Sequence, residues 1–274
     1  MPSVMKRREF LKSSVAAASA AAASPLLGAE GQGKAGGPAA VREFYELRLY
    51  RLRRGPMQKR FDDFYRDAAI PAMNRAGINP VGVFSVMAGP DSPTMYVLTP
   101  HKSAEAFSTH NERVRSDPEY QKAGAEFINA SPTDPSYVRV ESSLLSAFET
   151  MPRLEVPPGT AAKKSRLFEL RIYESHSKKA NKKKIEMFNK GEIAIFRRTG
   201  LTPVFFGETM IGNKLPNLTY MLVFENMAER EKNWGTFVAD PEWKKLSSTE
   251  GYADAEIVSN ISNLFLRPTP YSQI

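Results

Sequence analysis

The chain carries an internal duplication, and this repetition restricts the possible folds more than any other feature. The segment YELRLY at residues 45–50 returns as FELRIY at 168–173, 123 positions later. The same offset relates GINPV at 77–81 to GLTPV at 200–204, and DPEY at 117–120 to DPEW at 240–243. Tyr96 aligns with Tyr220 at an offset of 124, which predicts a one-residue insertion that is later closed. Three matches in one register indicate two similar repeats.

Both repeats show the same order of strand and helix patterns. In the first, alternation and helical spacing predict a strand at 44–51, a helix at 57–76, strands at 80–88 and 95–99, a helix at 101–127 and a strand at 137–147. In the second, the corresponding segments are 167–174, 178–198, 203–211, 218–225, 228–246 and 255–266. The order βαββαβ is that of a ferredoxin-like unit. Since helices cover one face of such a sheet, two units can bury their bare faces against each other.

The first residues have the pattern of an export signal. The segment MKRREFLK at 5–12 resembles a twin-arginine signal, and an Ala-rich run at 15–27 follows it. We therefore expect a signal peptide at 1–29, export by the twin-arginine route and a periplasmic or secreted mature protein. The remaining boundaries are a flexible leader at 30–41, repeat 1 at 42–148, a Pro-rich linker at 149–165, repeat 2 at 166–267 and a C-terminal tail at 268–274.

The duplicated opening, the first helix ending in Gly and the Asp-Pro-Glu-aromatic element resemble the NIPSNAP family, over residues 42–267. The resemblance implies membership of the dimeric α/β-barrel group. The full fold prediction is therefore α+β, with two tandem ferredoxin-like βαββαβ repeats packed sheet to sheet as an intrachain dimeric α/β barrel. The resemblance implies a fold more than it implies a reaction.

The opening strand of each repeat provides the candidate binding site. Side chains alternate between the two faces of a strand, so Glu46, Arg48 and Tyr50 share one face. In repeat 2, Glu169, Arg171 and Tyr173 do the same. We expect the apolar residues between them to meet the helices, and both polar sets to face the space between the sheets. There they form either structural ion pairs or the polar floor of a ligand pocket, with Arg48 or Arg171 as donor.

Composition excludes several classes of chemistry. The chain has no cysteine, which removes thiolate metal sites, thiol nucleophiles and covalent haem attachment. Its three histidines, His101, His110 and His176, show no metal-ligand spacing, so no metal site is predicted. His110 is a candidate cofactor ligand, for haem, or a solvent-facing helix residue. His101 and His176 are expected in loops beside strand ends.

The net charge is +8, and basic residues follow the first strand of each repeat, including Arg51, Arg53, Lys59 and Lys178–Lys184. These residues form either solvated faces or a contact with an anionic envelope surface. No motif indicates a nucleic-acid partner.

Two functions are compatible with these patterns. The first is an exported NIPSNAP domain-containing protein that binds a small ligand or partner in the cell envelope, without a bound cofactor. The alternative is a monooxygenase-like oxidoreductase, using haem or no cofactor, by analogy with other barrels of this group. A homo-oligomer is compatible with either function.

Overall fold

A computed structural model describes residues 41–89 and 93–274 of the chain. The predicted signal peptide and nearly all of the predicted leader lie outside these residues. Within them, no helix combines the length and apolar character that crossing a bilayer requires.

The first half follows the predicted order of elements. It contains β1 (Phe44–Arg51), α1 (Pro56–Phe64), a π-helical turn (Tyr65–Ala69), α2 (Ile70–Arg75), β2 (Gly82–Val86), β3 (Thr94–His101), α3 (Ala104–Arg115), α4 (Pro118–Ala123), α5 (Ala125–Ile128) and β4 (Arg139–Ala147).

The second half repeats this order. It contains β5 (Leu167–Glu174), α6 (Lys178–Met187), a second π-helical turn (Phe188–Glu192), α7 (Ile193–Arg198), β6 (Thr202–Ile211), β7 (Asn217–Phe224), α8 (Met227–Ala239), α9 (Pro241–Ser247), α10 (Asp254–Ile257) and β8 (Asn260–Pro268). The last strand begins later than expected, because residues 254–257 form the short helix α10.

The eight strands form one closed antiparallel barrel in the order β1-β3-β2-β8-β5-β7-β6-β4. Each half contributes four adjacent strands, β4-β1-β3-β2 and β8-β5-β7-β6. The halves are joined by hydrogen-bonded strand pairs at both edges, β2 with β8 and β4 with β6. The two sheets therefore meet edge to edge in a continuous barrel wall.

The strand register shows how the two halves correspond. Arg48 lies opposite Val97 on β3, and Arg171 lies opposite Tyr220 on β7. Val97 and Tyr220 are 123 positions apart, so the offset stays constant through this strand. The predicted alignment of Tyr96 with Tyr220, with its insertion, is wrong, since the register matches Tyr96 to Thr219.

The faces of the opening strands are the reverse of the prediction. Tyr45 and Leu47 lie in an apolar cluster inside the barrel, which also contains Phe168 and Leu170 of the second half. Tyr50 packs with the helices of its own half. Glu46, Arg48 and Tyr50, like Glu169, Arg171 and Tyr173, therefore face the helices and not the space between the sheets. The barrel interior is filled mainly by apolar side chains.

The repeated Asp-Pro-Glu element starts a helix in each half. Asp117 precedes α4 and accepts hydrogen bonds from the backbone N–H groups of Glu119 and Tyr120. Asp240 precedes α9 and accepts the equivalent pair of bonds. A side-chain acceptor before a first-turn proline is a favourable helix start. This element is therefore structural in both halves.

Candidate functional site

A cavity of about 420 Å³ lies between the outer face of the sheet and the helices of the first half. Arg48 and Tyr50 of β1 and His110 and Asn111 of α3 are polar groups on its wall. Arg115, Gln121 and Asn129 are further polar residues of the lining, and aromatic and aliphatic side chains complete it. Small-molecule sites typically have volumes of about 300–1,000 Å³ and combine an apolar lining with a few polar groups. The cavity has the size and composition of a ligand site.

Glu46 and Arg48 form a buried ion pair at one end of this cavity. Arg48 donates from Nε to Oε1 of Glu46 at 2.7 Å, and the hydroxyl of Ser142 donates to the same oxygen at 2.7 Å. Burial alone would raise the pKa of Glu46, but the Arg48 charge and hydrogen bonding to the carboxylate lower it to about 2. Burial alone would lower the pKa of Arg48, but the negative charge of Glu46 holds it above its ordinary value. Both groups are charged at neutral pH.

Two histidines meet beside this ion pair. Nε2 of His110 lies 3.0 Å from Nη2 of Arg48 and 3.3 Å from Oε2 of Glu46. The ring centroid of His101, the last residue of β3, lies 4.8 Å from that of His110. Both histidines are only 2% exposed. His110 is therefore not solvent-facing, and His101 ends a strand instead of lying in a loop. His176 is exposed.

A pair of tyrosines lies beside Arg48. Tyr65, in the first π-helical turn, donates its hydroxyl hydrogen to the hydroxyl of Tyr50 at 3.0 Å. Burial raises the pKa of Tyr65 well above its ordinary value, so this hydroxyl stays protonated. Both tyrosines line the cavity. The site thus combines the guanidinium of Arg48, two phenol hydroxyls and an imidazole, which suits recognition of an anionic or carbonyl oxygen.

The equivalent polar residues of the second half have their hydrogen-bond partners within the protein. Glu169 accepts hydrogen bonds from Arg171 at 2.8 Å, from Arg230 at 2.8 and 3.0 Å, and from the indole of Trp234 at 2.9 Å. Arg171 also donates to the hydroxyl of Tyr173 at 3.1 Å, and its guanidinium lies 4.5 Å from the Trp234 ring centroid. In the second half, the polar set therefore has the arrangement of a structural ion pair, which is one of the two alternatives that the sequence leaves open.

Side-chain size explains why a cavity opens in the first half. At the constant offset of 123, several of its lining residues have bulkier counterparts, among them Phe196 for Met73, Glu192 for Ala69 and Phe237 for Val114. In the second half the ring centroid of Phe237 lies 4.8 Å from that of Phe196 and 4.3 Å from that of Trp243. Aromatic rings occupy the space that the first half leaves open.

A second cavity, of about 580 Å³, lies at one end of the barrel interior. Leu47, Leu49 and Tyr96 of the first half and Ile172 of the second contribute to its wall. This is the space between the sheets in which the sequence placed the Glu-Arg-Tyr sets, but none of those six residues lines it.

His110 gives little support for haem in the first cavity, the one of about 420 Å³. Its Nδ1 contacts the backbone carbonyl oxygen of Phe107, and its Nε2 faces Arg48 and Glu46 at close range. A planar macrocycle would have to enter where these side chains lie. The geometry fits a residue that orients Arg48 better than a haem ligand.

The basic residues of the second half are not all solvated. Lys184 is 1% exposed, and its Nζ lies 3.2 Å from Oε2 of Glu192 and 3.1 Å from Oδ1 of Asp254. The prediction that the whole run is a solvated or surface-binding face is therefore wrong for Lys184. Helical periodicity explains this, because one residue in such a run must point toward the sheet.

Comparison with known proteins agrees with this architecture. The family model described as NIPSNAP matches residues 45–147 and 168–273, which is one match in each half. By fold the molecule is an α+β protein with a closed barrel, and the chain belongs to the NIPSNAP family. No curated protein matches the sequence at a significant level.

Solved structures resemble the chain at low sequence identity. A candidate monooxygenase from Fusobacterium nucleatum is 9% identical with a TM-score of 0.55, covering 84% of this chain and 93% of its own. A candidate monooxygenase from Lactobacillus acidophilus is 10% identical with a TM-score of 0.55, covering 83% and 94%. A NIPSNAP-like domain protein from Burkholderia xenovorans is 22% identical with a TM-score of 0.35, covering 39% and 88%. At these identities, the first two comparisons support the fold alone.

Proposed function

We propose that the protein binds one small organic ligand with an anionic or carbonyl oxygen in the cavity of the first half. The observation that carries this proposal is the placement of Arg48, Tyr50 and His110 on the wall of a cavity of about 420 Å³. Arg48 is the anchor, because a guanidinium presents several donors in a fixed geometry that matches a carboxylate. The apolar walls hold the carbon skeleton.

The architecture supports one site in each chain. Each half is interpreted as a ferredoxin-like unit because its strands follow the order 4-1-3-2 within the barrel. The two units share a frame, yet Arg171 is held by Glu169 and Tyr173 and lies against Trp234. Arg48 is also bonded within the protein, to Glu46 and to Oδ1 of Asn111, but it lines the cavity of about 420 Å³. Binding is therefore assigned to Arg48 and not to Arg171. Export of the mature protein to the cell envelope stays a prediction from Arg7 and Arg8.

A matched pair of ligands tests the binding proposal. Isothermal titration calorimetry should detect binding of 2-naphthoate, and weaker binding of the neutral 2-naphthamide. Arg48→Met should weaken 2-naphthoate binding by about 10- to 100-fold, since a hydrogen bond to a charged group contributes about 1.5–3 kcal/mol. It should have little effect on 2-naphthamide.

The second half provides the control variant. Arg171→Met should lower the thermal midpoint and leave 2-naphthoate binding unchanged, because its guanidinium stabilises the fold. Equal binding by wild type and folded Arg48→Met would refute the assignment, as would equal weakening by a folded Arg171→Met variant.

A monooxygenase-like activity is the second candidate. It is favoured by the likeness of nearly the whole chain to two candidate monooxygenases. In a cofactor-free version, an activated aromatic CH₂ group would react with O₂ to give a carbonyl and water. An oxygen electrode with such a substrate should then record uptake that Arg48→Met reduces. Uptake that is identical with and without the protein would exclude this activity for that substrate class.

A further inference from the structure

The two buried carboxylates of the repeated strands are neutralised differently. Glu169 faces two guanidinium groups, those of Arg171 and Arg230, and one indole N–H. Glu46 faces one guanidinium, and at the constant offset the counterpart of Arg230 is the apolar Phe107. Two histidines lie beside Glu46, where the second half has Phe224 and Asn233. The first half thus lacks one cation and has two imidazoles near the same place.

Two buried polar atoms in this cluster have no hydrogen-bond partner. Oε2 of Glu46 lies 3.3 Å from Nε2 of His110 without the alignment of a hydrogen bond, and Glu46 is 4% exposed. Nδ1 of His101 is also without a partner, and His101 is 2% exposed. Leaving buried polar atoms unpaired is costly, so such atoms indicate a missing partner.

We propose that Glu46, His101 and His110 form a binding site for one divalent transition-metal ion. One donor atom from each residue lies within 4.8 Å of the others. Two imidazoles and one carboxylate are a ligand set that proteins use for iron(II) and zinc, with further positions left open. The ion supplies the positive charge that Arg230 supplies in the second half.

The ligand atoms must move closer together to bind an ion. Bonds of about 2.1 Å place neighbouring ligand atoms roughly 3.0–3.4 Å apart, so donor atoms that now lie within 4.8 Å of one another close by up to about 1.4–1.8 Å. The hydrogen bond from Nδ1 of His110 to the Phe107 carbonyl fixes the tautomer that leaves Nε2 available. Nη2 of Arg48, 3.0 Å from that nitrogen, must withdraw into the adjoining cavity. Arg48 therefore competes with the ion.

Cobalt titration of the tag-free protein tests the proposal without any organic ligand. After treatment with a chelator, the wild-type protein should bind one equivalent of Co²⁺ and show visible absorption bands of protein-bound cobalt. Zn²⁺ should displace the Co²⁺ and abolish these bands. Arg48→Met should bind Co²⁺ more tightly, because it removes a competing cation.

The second half supplies the replacement residues. His101→Phe and His110→Asn introduce the residues found at the equivalent positions, 224 and 233. Each should weaken Co²⁺ binding at least about 100-fold, and the isosteric Glu46→Gln at least about tenfold. His176→Ala, at an exposed histidine, is the control and should bind like the wild type. Circular dichroism in the presence of chelator checks that each variant is folded.

Each outcome decides the question. Absence of stoichiometric Co²⁺ binding by the wild type overturns the proposal, as does unchanged binding by folded His101→Phe or Glu46→Gln. If the histidine variants do not fold, Glu46→Gln and Arg48→Met still give opposite expected changes. Because 2-naphthoate plays no part in this titration, loss of the metal site and loss of the ligand site are distinguishable.

Discussion

The two halves of the barrel use one backbone plan for different purposes. Both place Glu, Arg and Tyr on the helix-facing side of the opening strand, and both join that Tyr to a second tyrosine hydroxyl at 3.0 Å. The first half leaves a cavity beside this set, whereas the second fills the corresponding space with Phe196, Phe237 and Trp243. The comparison fits a division in which the second half contributes packing and the first half contributes the proposed binding site.

The largest expected effect of a substitution on stability comes from the buried charge of Lys184 in the second half. Lys184 occupies the place that Phe61 has in the first half, beside Glu192 and Asp254. At pH 8, Lys184→Met should lower the free energy of unfolding by about 3–5 kcal/mol, because it leaves a buried carboxylate without its partner. Urea denaturation measures this change.

Lys183, the neighbour of Lys184, has a side chain that is 39% exposed and provides the control. Lys183→Met should cost less than about 1 kcal/mol, as expected for a solvated ion pair. Similar losses for both variants would show that the charge at position 184 has no special role.

A reciprocal exchange between Val114 and Phe237 tests the comparison of packing. Phe237→Val should lower the free energy of unfolding by about 2–4 kcal/mol, because it creates a cavity among aromatic rings. Val114→Phe should change stability by less than about 1 kcal/mol, since its ring enters open space, and should abolish 2-naphthoate binding. Equal destabilisation by both variants would contradict the assignment of binding to the first half. Urea denaturation and calorimetry measure the two effects.

The smallest effect is a loss of stability with rising pH that Glu192 of the second half should cause. Burial raises the pKa of Glu192 to about 7, and the Lys184 charge opposes this only in part. The folded protein therefore holds a proton on Glu192 that the unfolded chain releases above pH 4.5. This contribution to stability is present below pH 4.5 and is lost as the pH rises through 7, on the order of 3 kcal/mol in all.

Glu192→Gln should flatten this part of the stability profile, as measured by denaturation at pH 5 and pH 8. The first half has Ala69 at the equivalent position and contributes no such term. A wild-type profile as flat as that of the variant would contradict the raised pKa.

The order of elements could be predicted because it depends on local patterns and on the repeated motifs. The face of β1 could not, because both faces of a barrel strand are buried. Its inner face packs Tyr45 and Leu47 in the barrel, and its outer face packs Tyr50 against helices. Alternation distinguishes the two faces but does not show which one the helices cover. The polar set was therefore placed on the wrong side of the strand, and its role in binding stays a prediction.

The histidine cluster required tertiary structure. Glu46, His101 and His110 lie on β1, at the end of β3 and on α3, so no short spacing could connect them. One signal was available in the sequence, since the constant offset pairs His101 with Phe224 and His110 with Asn233. Positions where two copies differ in chemistry, within an otherwise similar frame, are candidates for a function that only one copy has.

The two strand pairs that join the halves, β2 with β8 and β4 with β6, are the seams of the barrel, and they affect how the protein can aggregate. In the described residues every strand has a hydrogen-bonded neighbour on both sides, so the intact barrel offers no exposed backbone edge to another chain. Loss of either half would uncover an edge at each seam, on β2 and β4 or on β6 and β8. Aggregation should therefore follow the opening of a whole half. Until a half opens, the backbone amides of β2, β4, β6 and β8 should exchange slowly.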